Sequence, residues 1–179
     1  MKQYESERLL LRTPTLEDEK MIWDYRQEFV DNNEQSCGDS GLLKVSSFVD
    51  WYNHLQLMSN KDTLPPNRVV ATQFMAIEKT SGTLVGMVNV RHYLTPLLLS
   101  QGGHIGDSVR KSKRNQGYAT EQIGTALIFC KDMGINKVLM TCNKDNIGSM
   151  KSIVKNGGVK ENEIIVDGKI MERYWIDNN

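Results

Sequence analysis

The most constraining feature of this chain lies between Gly103 and Thr120, where it reads GHIGDSVRKSKRNQGYAT. His104 to Val109 can pair as a strand. Arg110, Lys111, Lys113 and Arg114 make the next segment strongly basic, and Gln116-Gly117-Tyr118-Ala119-Thr120 then opens an amphipathic run with helical spacing. A strand, a glycine turn and a helix start in succession are the parts of an anion site. The first amides of a helix lack intrahelical acceptors, and the helix dipole places partial positive charge beside them. Gly117 lets the backbone come close to a ligand, Ala119 is nearly as small, and the cations attract phosphate from a distance. There is no G-x-x-x-x-G-K-[ST] to grip a triphosphate and no G-x-G-x-x-G for a dinucleotide, so a phosphate-bearing nucleotide or coenzyme is expected. The competing reading is an ordinary capped loop with a solvated charge run.

The rest of the composition narrows the class. A length of 179 residues suits one domain with a real core. Lys+Arg and Asp+Glu are both 22, and this zero net charge argues against nucleic acid as the main partner. No apolar run approaches the roughly 20 residues that span a bilayer, and the start lacks a secretory pattern. Cys37, Cys130 and Cys142 are odd in number and scattered, which suits a reducing cytoplasm. With His54, His92 and His104 they show no metal-ligand spacing, so no metal is expected. A homodimer is compatible with these features.

Along the chain, Arg8 to Thr13 reads as a first strand, and Leu16-Glu17-Asp18-Glu19 opens a helix with acid at its positive end. Asp31 to Lys44 is polar and glycine-containing, and is expected to be a long mobile loop. A second helix starts near Ser47, with Phe48, Trp51, Tyr52, Leu55 and Met58 at helical spacing. Trp51 and Tyr52 read as core. Val70 to Lys79 and Thr83 to Tyr93 form a hairpin about Thr80-Ser81-Gly82, and Thr95 to Leu99 crosses to the central strand. After the basic loop, Ala119, Ile123, Ala126, Leu127, Cys130 and Met133 make one helix face that stops at Gly134. Val138 to Cys142 is a buried strand, Ile147 to Val154 a helix, and Ile164 to Ile176 a closing hairpin. The sum is an α/β (α+β) fold: a mixed, mostly antiparallel sheet of about seven strands flanked by helices.

Three segments carry a family resemblance. Arg114-x-x-Gly117-x-Ala119, between a strand and a helix, resembles the acyl-CoA pyrophosphate loop of the GNAT N-acetyltransferases. Asn143 to Gly158, with Asn146, Ser149, Lys155 and Gly157, is similar to the segment that follows the fifth strand in that family. Glu7-Arg8-Leu9-Leu10-Leu11-Arg12 and the Ser149 version resemble the branch containing ribosomal-protein N-terminal acetyltransferases. The resemblance implies a single GNAT domain over residues 1–179, with fourth and fifth strands that run parallel and splay apart. It also implies acetyl-CoA as acyl donor and an amine, on a small molecule or a peptide, as acceptor. Val109, Arg110, Arg114, Asn115, Gln116, Gly117, Tyr118, Ala119, Thr120, Asn143 and Asn146 are then the coenzyme-binding candidates, Val109 through its amide at the thioester carbonyl. Asn146 is equally readable as a helix cap.

Transfer to an amine needs a base, a donor for the oxyanion, and a group that tolerates the leaving thiolate. The tyrosine that many members carry on the last helix is replaced by Ile153, and Thr141 stands where some relatives have a glutamate base. Ser149 is the remaining hydroxyl and is either catalytic or a small packed residue. His104 and Asp107 are the nearest titratable groups on the fourth strand and should face opposite sides of the sheet; His104 is the better base at neutral pH. Cys142 reads as a buried hydrophobe, which favours direct attack by the amine. The missing tyrosine and glutamate also admit a non-catalytic acyl-CoA-binding module.

Overall fold

Alternating and continuous apolar runs become strands and the 3.6-residue runs become helices, in a computed structural model that describes residues 3–179. The order is β1 (Gln3–Glu5), β2 (Leu9–Arg12), α1 (Glu19–Asp31), α2 (Phe48–Ser59), β3 (Ala71–Glu78), β4 (Leu84–Arg91) and α3 (Pro96–Ser100). It continues with β5 (Ile105–Val109), α4 (Tyr118–Asp132), β6 (Lys137–Asn143), α5 (Ile147–Lys155), β7 (Gly158–Val166) and β8 (Lys169–Asp177). The strands form two antiparallel sheets, β1-β2-β3-β4-β5 and β6-β8-β7. The expected strands count one too few, because β1 is short and mostly polar. Tyr4 anchors it, edge-on to Phe74 and Phe129.

Side chains alternate across a strand, so each sheet face has its own core. On one face Leu9, Leu11, Phe74, Val85, Val88, Val90 and Ile105 meet Ile123, Ala126, Leu127 and Phe129 of α4. That cluster continues through Val138, Met140 and Cys142 of β6 to Ile153 of α5, and so ties the two sheets together. On the other face Met75, Ile77 and Met87 pack against Ile22, Tyr25 and Phe29 of α1 and Phe48, Trp51 and Leu55 of α2. Trp51 is core, as expected. Tyr52 is half-buried and borders a hollow instead.

Three segments differ from the sequence reading. Asp31 to Lys44 is folded down: Leu42 is fully buried, and the Asp39 carbonyl accepts from Trp51 Nε1 at 2.8 Å. Thr95 to Leu99 coils into α3, with Thr95 accepting from the Leu98 amide and Pro96 in the first turn. The closing hairpin begins at Gly158, well before Ile164, because β7 is an edge strand whose solvent-facing residues are charged. No helix among the described residues is long and apolar enough to cross a membrane.

Candidate active site

The site begins as a defect in backbone pairing. No ladder joins β5 to β6. The chain entering β5 meets β6 where the His104 amide donates to the Leu139 carbonyl at 2.7 Å, the Leu139 amide donates to His104 Nδ1 at 2.9 Å, and the Gly102 amide donates to the Thr141 hydroxyl at 3.3 Å. Alternation fixes what lies beyond that vertex. Arg91 N–H donates to His104 O and Arg110 N–H to Val85 O, so the even-numbered residues of β5 bond to β4. Asp107 and Val109 therefore turn their amides toward β6. By the same rule, Lys144 N–H bonding to Ile170 O turns the backbone of Thr141 and Asn143 toward β5. Both strands leave the vertex in their chain direction and diverge, which is the splayed parallel pair expected from the resemblance. The charge of Asp107 still reaches the Cys142 thiol across the gap. Unpaired amides and carbonyls in such a wedge call for a ligand that pairs like a strand.

The basic loop closes the mouth of the wedge. Among the described residues, no protein acceptor is found for the amides of Asn115, Gln116, Gly117, Tyr118, Ala119 or Thr120. The left-handed turn is made by Asn115 at φ 61° and Gly117 at φ 85°, a conformation that costs glycine nothing and asparagine little. These amides fit a diphosphate. The cations do not act as expected. Arg110 is held by Glu28 at 2.5 Å and Asp24 at 3.2 Å with only 12% of its side chain exposed, so it buttresses the loop and is not free for a ligand. Lys113 pairs with Glu78, and Lys111 reaches Asn32. Arg114 ties the loop to β5 through Val109 O at 3.0 Å and pairs with Glu34 at 2.5 Å. The cation beside the turn is Arg8, read from sequence only as part of an N-terminal segment. It donates to Gln116 O at 3.0 Å, pairs with Glu121 at 2.6 Å, and lies 3.3 Å from where a Cβ on Gly117 would stand. The Tyr118 ring lies under Arg8 with its hydroxyl on Glu78, so only its backbone faces the mouth. The Thr120 hydroxyl donates to Ser152 at 3.3 Å.

On the opposite lip, Asn143 is exposed and its carbonyl accepts from the Asn146 amide. Asn146 Oδ1 accepts from the Ser149 amide at 3.1 Å, so Asn146 caps α5. Both border a shallow hollow of about 410 Å³ with Asp145, Lys169 and Ile170.

Inside the wedge, on the face of α4 and α5, stand Asp107, Cys142 and Ser149. Burial raises the Asp107 carboxyl to about 6, partly offset by Gln122 Nε2 donating at 2.9 Å. Gln122 is fully buried, and its Oε1 has no partner among the described residues. The signal for it was present in the sequence as the one polar residue between Ala119 and Ile123 on the apolar face of α4. Burial also pushes the Cys142 thiol up to about 11, Glu172 adding to the rise and the nearby Ser149 hydroxyl opposing it. Ser149 is thus inside the wedge beside the thiol. His104 is placed differently. It is 7% exposed, its Nδ1 lone pair is used by Leu139, and burial reinforced by the Arg91 charge lowers it to about 4. A base whose basic nitrogen is already occupied, and which stays neutral far below pH 7, is a structural clip. Asp107, the alternative on the same strand, has the position and the poise.

A wedge of unpaired strand backbone, with a helix start at its mouth and a carboxylate tuned near neutrality inside, defines a coenzyme-dependent acyl-transfer site. Residues 8–159 match the model of the acetyltransferase (GNAT) domain, so the chain belongs to the GNAT acetyltransferase family. No curated protein matches it by sequence. Solved structures share its fold at low identity. A ribosomal L7/L12 α-N-protein acetyltransferase, RimL, in complex with coenzyme A bound to one of its cysteines by a disulfide, has a TM-score of 0.72 and 16% identity, covering 99% of this chain and 100% of its own. The ribosomal-protein-S5-alanine acetyltransferase from Vibrio fischeri gives 0.70 and 17%, covering 100% and 98%. The microcin C7 self-immunity acetyltransferase MccE, in complex with acetyl-CoA and AMP, gives 0.68 and 16%, covering 96% and 93%.

Proposed function

We propose that this chain is one acetyltransferase domain that moves an acetyl group from acetyl-CoA to a primary amine, with Asp107 as base. The observation that carries the reading is the wedge between β5 and β6, whose open amides at Asp107, Val109 and Thr141 lead to six loop amides, Asn115 to Thr120, without acceptors among the described residues. The residues present fit the coenzyme. The loop amides suit its diphosphate, Arg8 adds charge beside Gly117, and the strand edges suit the amides of its pantetheine arm. Bound there, acetyl-CoA supplies an activated acyl group as a thioester.

The chain's own residues do the rest. The Val109 amide is aimed into the wedge as a donor to the carbonyl oxygen as charge grows on it. Asp107, ionised above pH 6, takes the proton that the amine releases as its nitrogen bonds to the acyl carbon and the carbon–sulfur bond breaks. That proton ends on the departing sulfur, next to which the Ser149 hydroxyl is placed to donate a hydrogen bond. Cys142 stays a thiol, since burial holds it near 11. The amine therefore attacks directly, and proximity within the wedge supplies much of the acceleration. A carboxylate raised toward neutrality inside the wedge has no use in a non-catalytic acyl-CoA-binding module, which disfavours that alternative.

Initial-rate kinetics of thioester consumption test the proposal. Intersecting lines and an acetylated amine by mass spectrometry are expected. Parallel lines with one acetyl group on Cys142 would show a covalent route, and coenzyme binding without consumption by any amine would leave the binding module.

A further inference from the structure

Opposite the helix face of the wedge, the sheet presents a cation with no counter-charge. Met87, Asn89 and Arg91 of β4 alternate with the residues that meet α4, so Arg91 points to the face of α1 and α2, beside Gly106 and His104. It is half-buried. Five other arginines of this chain, Arg8, Arg12, Arg110, Arg114 and Arg173, each pair with a carboxylate. Arg91 makes no ion pair among the described residues. Its Nη1 donates to the carbonyls of Gly102 at 2.9 Å and Gly103 at 3.3 Å, while Nε and Nη2 have no protein acceptor there. Removing a charge from water without a partner is costly, so a half-buried guanidinium with free donors favours an anion from outside. Burial accordingly lowers its basicity, and Cys37 of the loop before α2 opposes that shift.

Arg91 lies next to the reacting centre. A Cβ at Gly106 would lie 3.1 Å from Arg91 Nη2 and 3.4 Å from the Gly38 Cα, so the bare glycine lets both the guanidinium and the loop before α2 come against this strand. Gly106 directly precedes Asp107, whose carboxyl emerges on the other face of the same strand. His104, also beside Arg91, is neutral and spends its lone pair on Leu139, so it does not compete for the anion.

We propose that Arg91 holds a carboxylate of the acceptor, so that the preferred substrates are amines bearing an acid group a few bonds from the nitrogen. The inference rests on the acetyltransferase reading and names its substrate class. The carboxylate belongs to a free amino acid or to an acidic side chain near a peptide N-terminus. Arg91 Nη2 and Nε form the paired donor face that guanidinium offers to carboxylate.

The test is matched acceptors differing only in that group: β-alanine against β-alaninamide, and a peptide with glutamate in second position against the same peptide with glutamine. Wild type should favour the acid of each responsive pair by about 10- to 100-fold in kcat/KM, the scale of a charge-assisted hydrogen bond. Which pair responds identifies the source of the carboxylate. In Arg91→Gln the ratio should fall to near one and in Arg91→Lys be kept in part, with coenzyme A affinity by calorimetry unchanged. Arg91 also clamps the Gly102 and Gly103 carbonyls, but losing that clamp alone would slow acids and amides alike and leave the ratio intact. Equal rates for acid and amide in wild type, or a ratio that survives Arg91→Gln, overturns the proposal, and the wild-type comparison needs no variant to fold. If every acid and amide fails while coenzyme A still binds, the proposal fails as well; loss of coenzyme binding itself would instead refute the acetyltransferase reading.

Discussion

Replacing Asp107 with asparagine separates what this carboxylate costs the fold from what it gives the reaction. Burial raises its carboxyl from the ordinary 3.8 to about 6. At about 1.4 kcal/mol per unit, the native state carries on the order of 3 kcal/mol of penalty when the group is ionised. The sign follows from proton counting. Between pH 4 and 6 the folded chain binds more protons than the unfolded one, so stability falls as pH rises through that window and stays low above it. Asp107→Asn removes the charge and keeps an oxygen for Gln122 Nε2, which donates to Asp107 at 2.9 Å. Urea unfolding should therefore show the variant more stable than wild type by up to about 3 kcal/mol at pH 7.5, with the gain fading as pH falls from 6 to 4. Turnover should fall by roughly 10²- to 10⁴-fold, the usual contribution of a general base. The wild-type rise in kcat/KM through pH 6 should disappear with it. A variant that keeps its activity within threefold and the same acidic limb, or that is no more stable at pH 7.5, refutes the assignment.

Other perturbations act on separate parts of the site. Gly117→Val places a branched side chain at φ 85° and against Arg8, so coenzyme A binding by calorimetry should be lost while far-ultraviolet circular dichroism stays native. His104→Ala removes the acceptor for the Leu139 amide at the vertex; it should destabilise the chain by about 1–3 kcal/mol and leave the acidic limb of the pH profile in place, whereas loss of that limb would return the base to His104. Cys142→Ala should keep most of the activity, because a thiol held near 11 is no nucleophile at neutral pH, and a loss beyond tenfold contradicts direct attack.

The fold was largely legible because its signals are local. Period-2 and period-3.6 apolar runs, the turn at Ser81-Gly82 and the stop at Gly134 each locate an element without reference to the rest of the chain. What the sequence could not show was partnership across distance. Arg110 and Arg114 look like ligands for phosphate until α1 and the turn after it bring Glu28 and Glu34 against them. His104 looks like a base until Leu139, far along the chain, takes its lone pair. Asp107 and His104 were correctly placed on opposite faces by alternation alone, but the choice between them turns on burial, which a strand pattern does not resolve. Arg8 lies far from Gly117 in sequence and meets it only because β2 runs beside the start of α4.

Hydrogen exchange with and without coenzyme A tests whether the wedge between β5 and β6 is the coenzyme site. Slowed exchange is expected at the amides of Gln116 to Thr120 and at Val109 and Thr141, with little change in β7. Protection confined to the hollow between α2 and β3, or no protection at Val109 and Thr141 under saturating coenzyme, would contradict it.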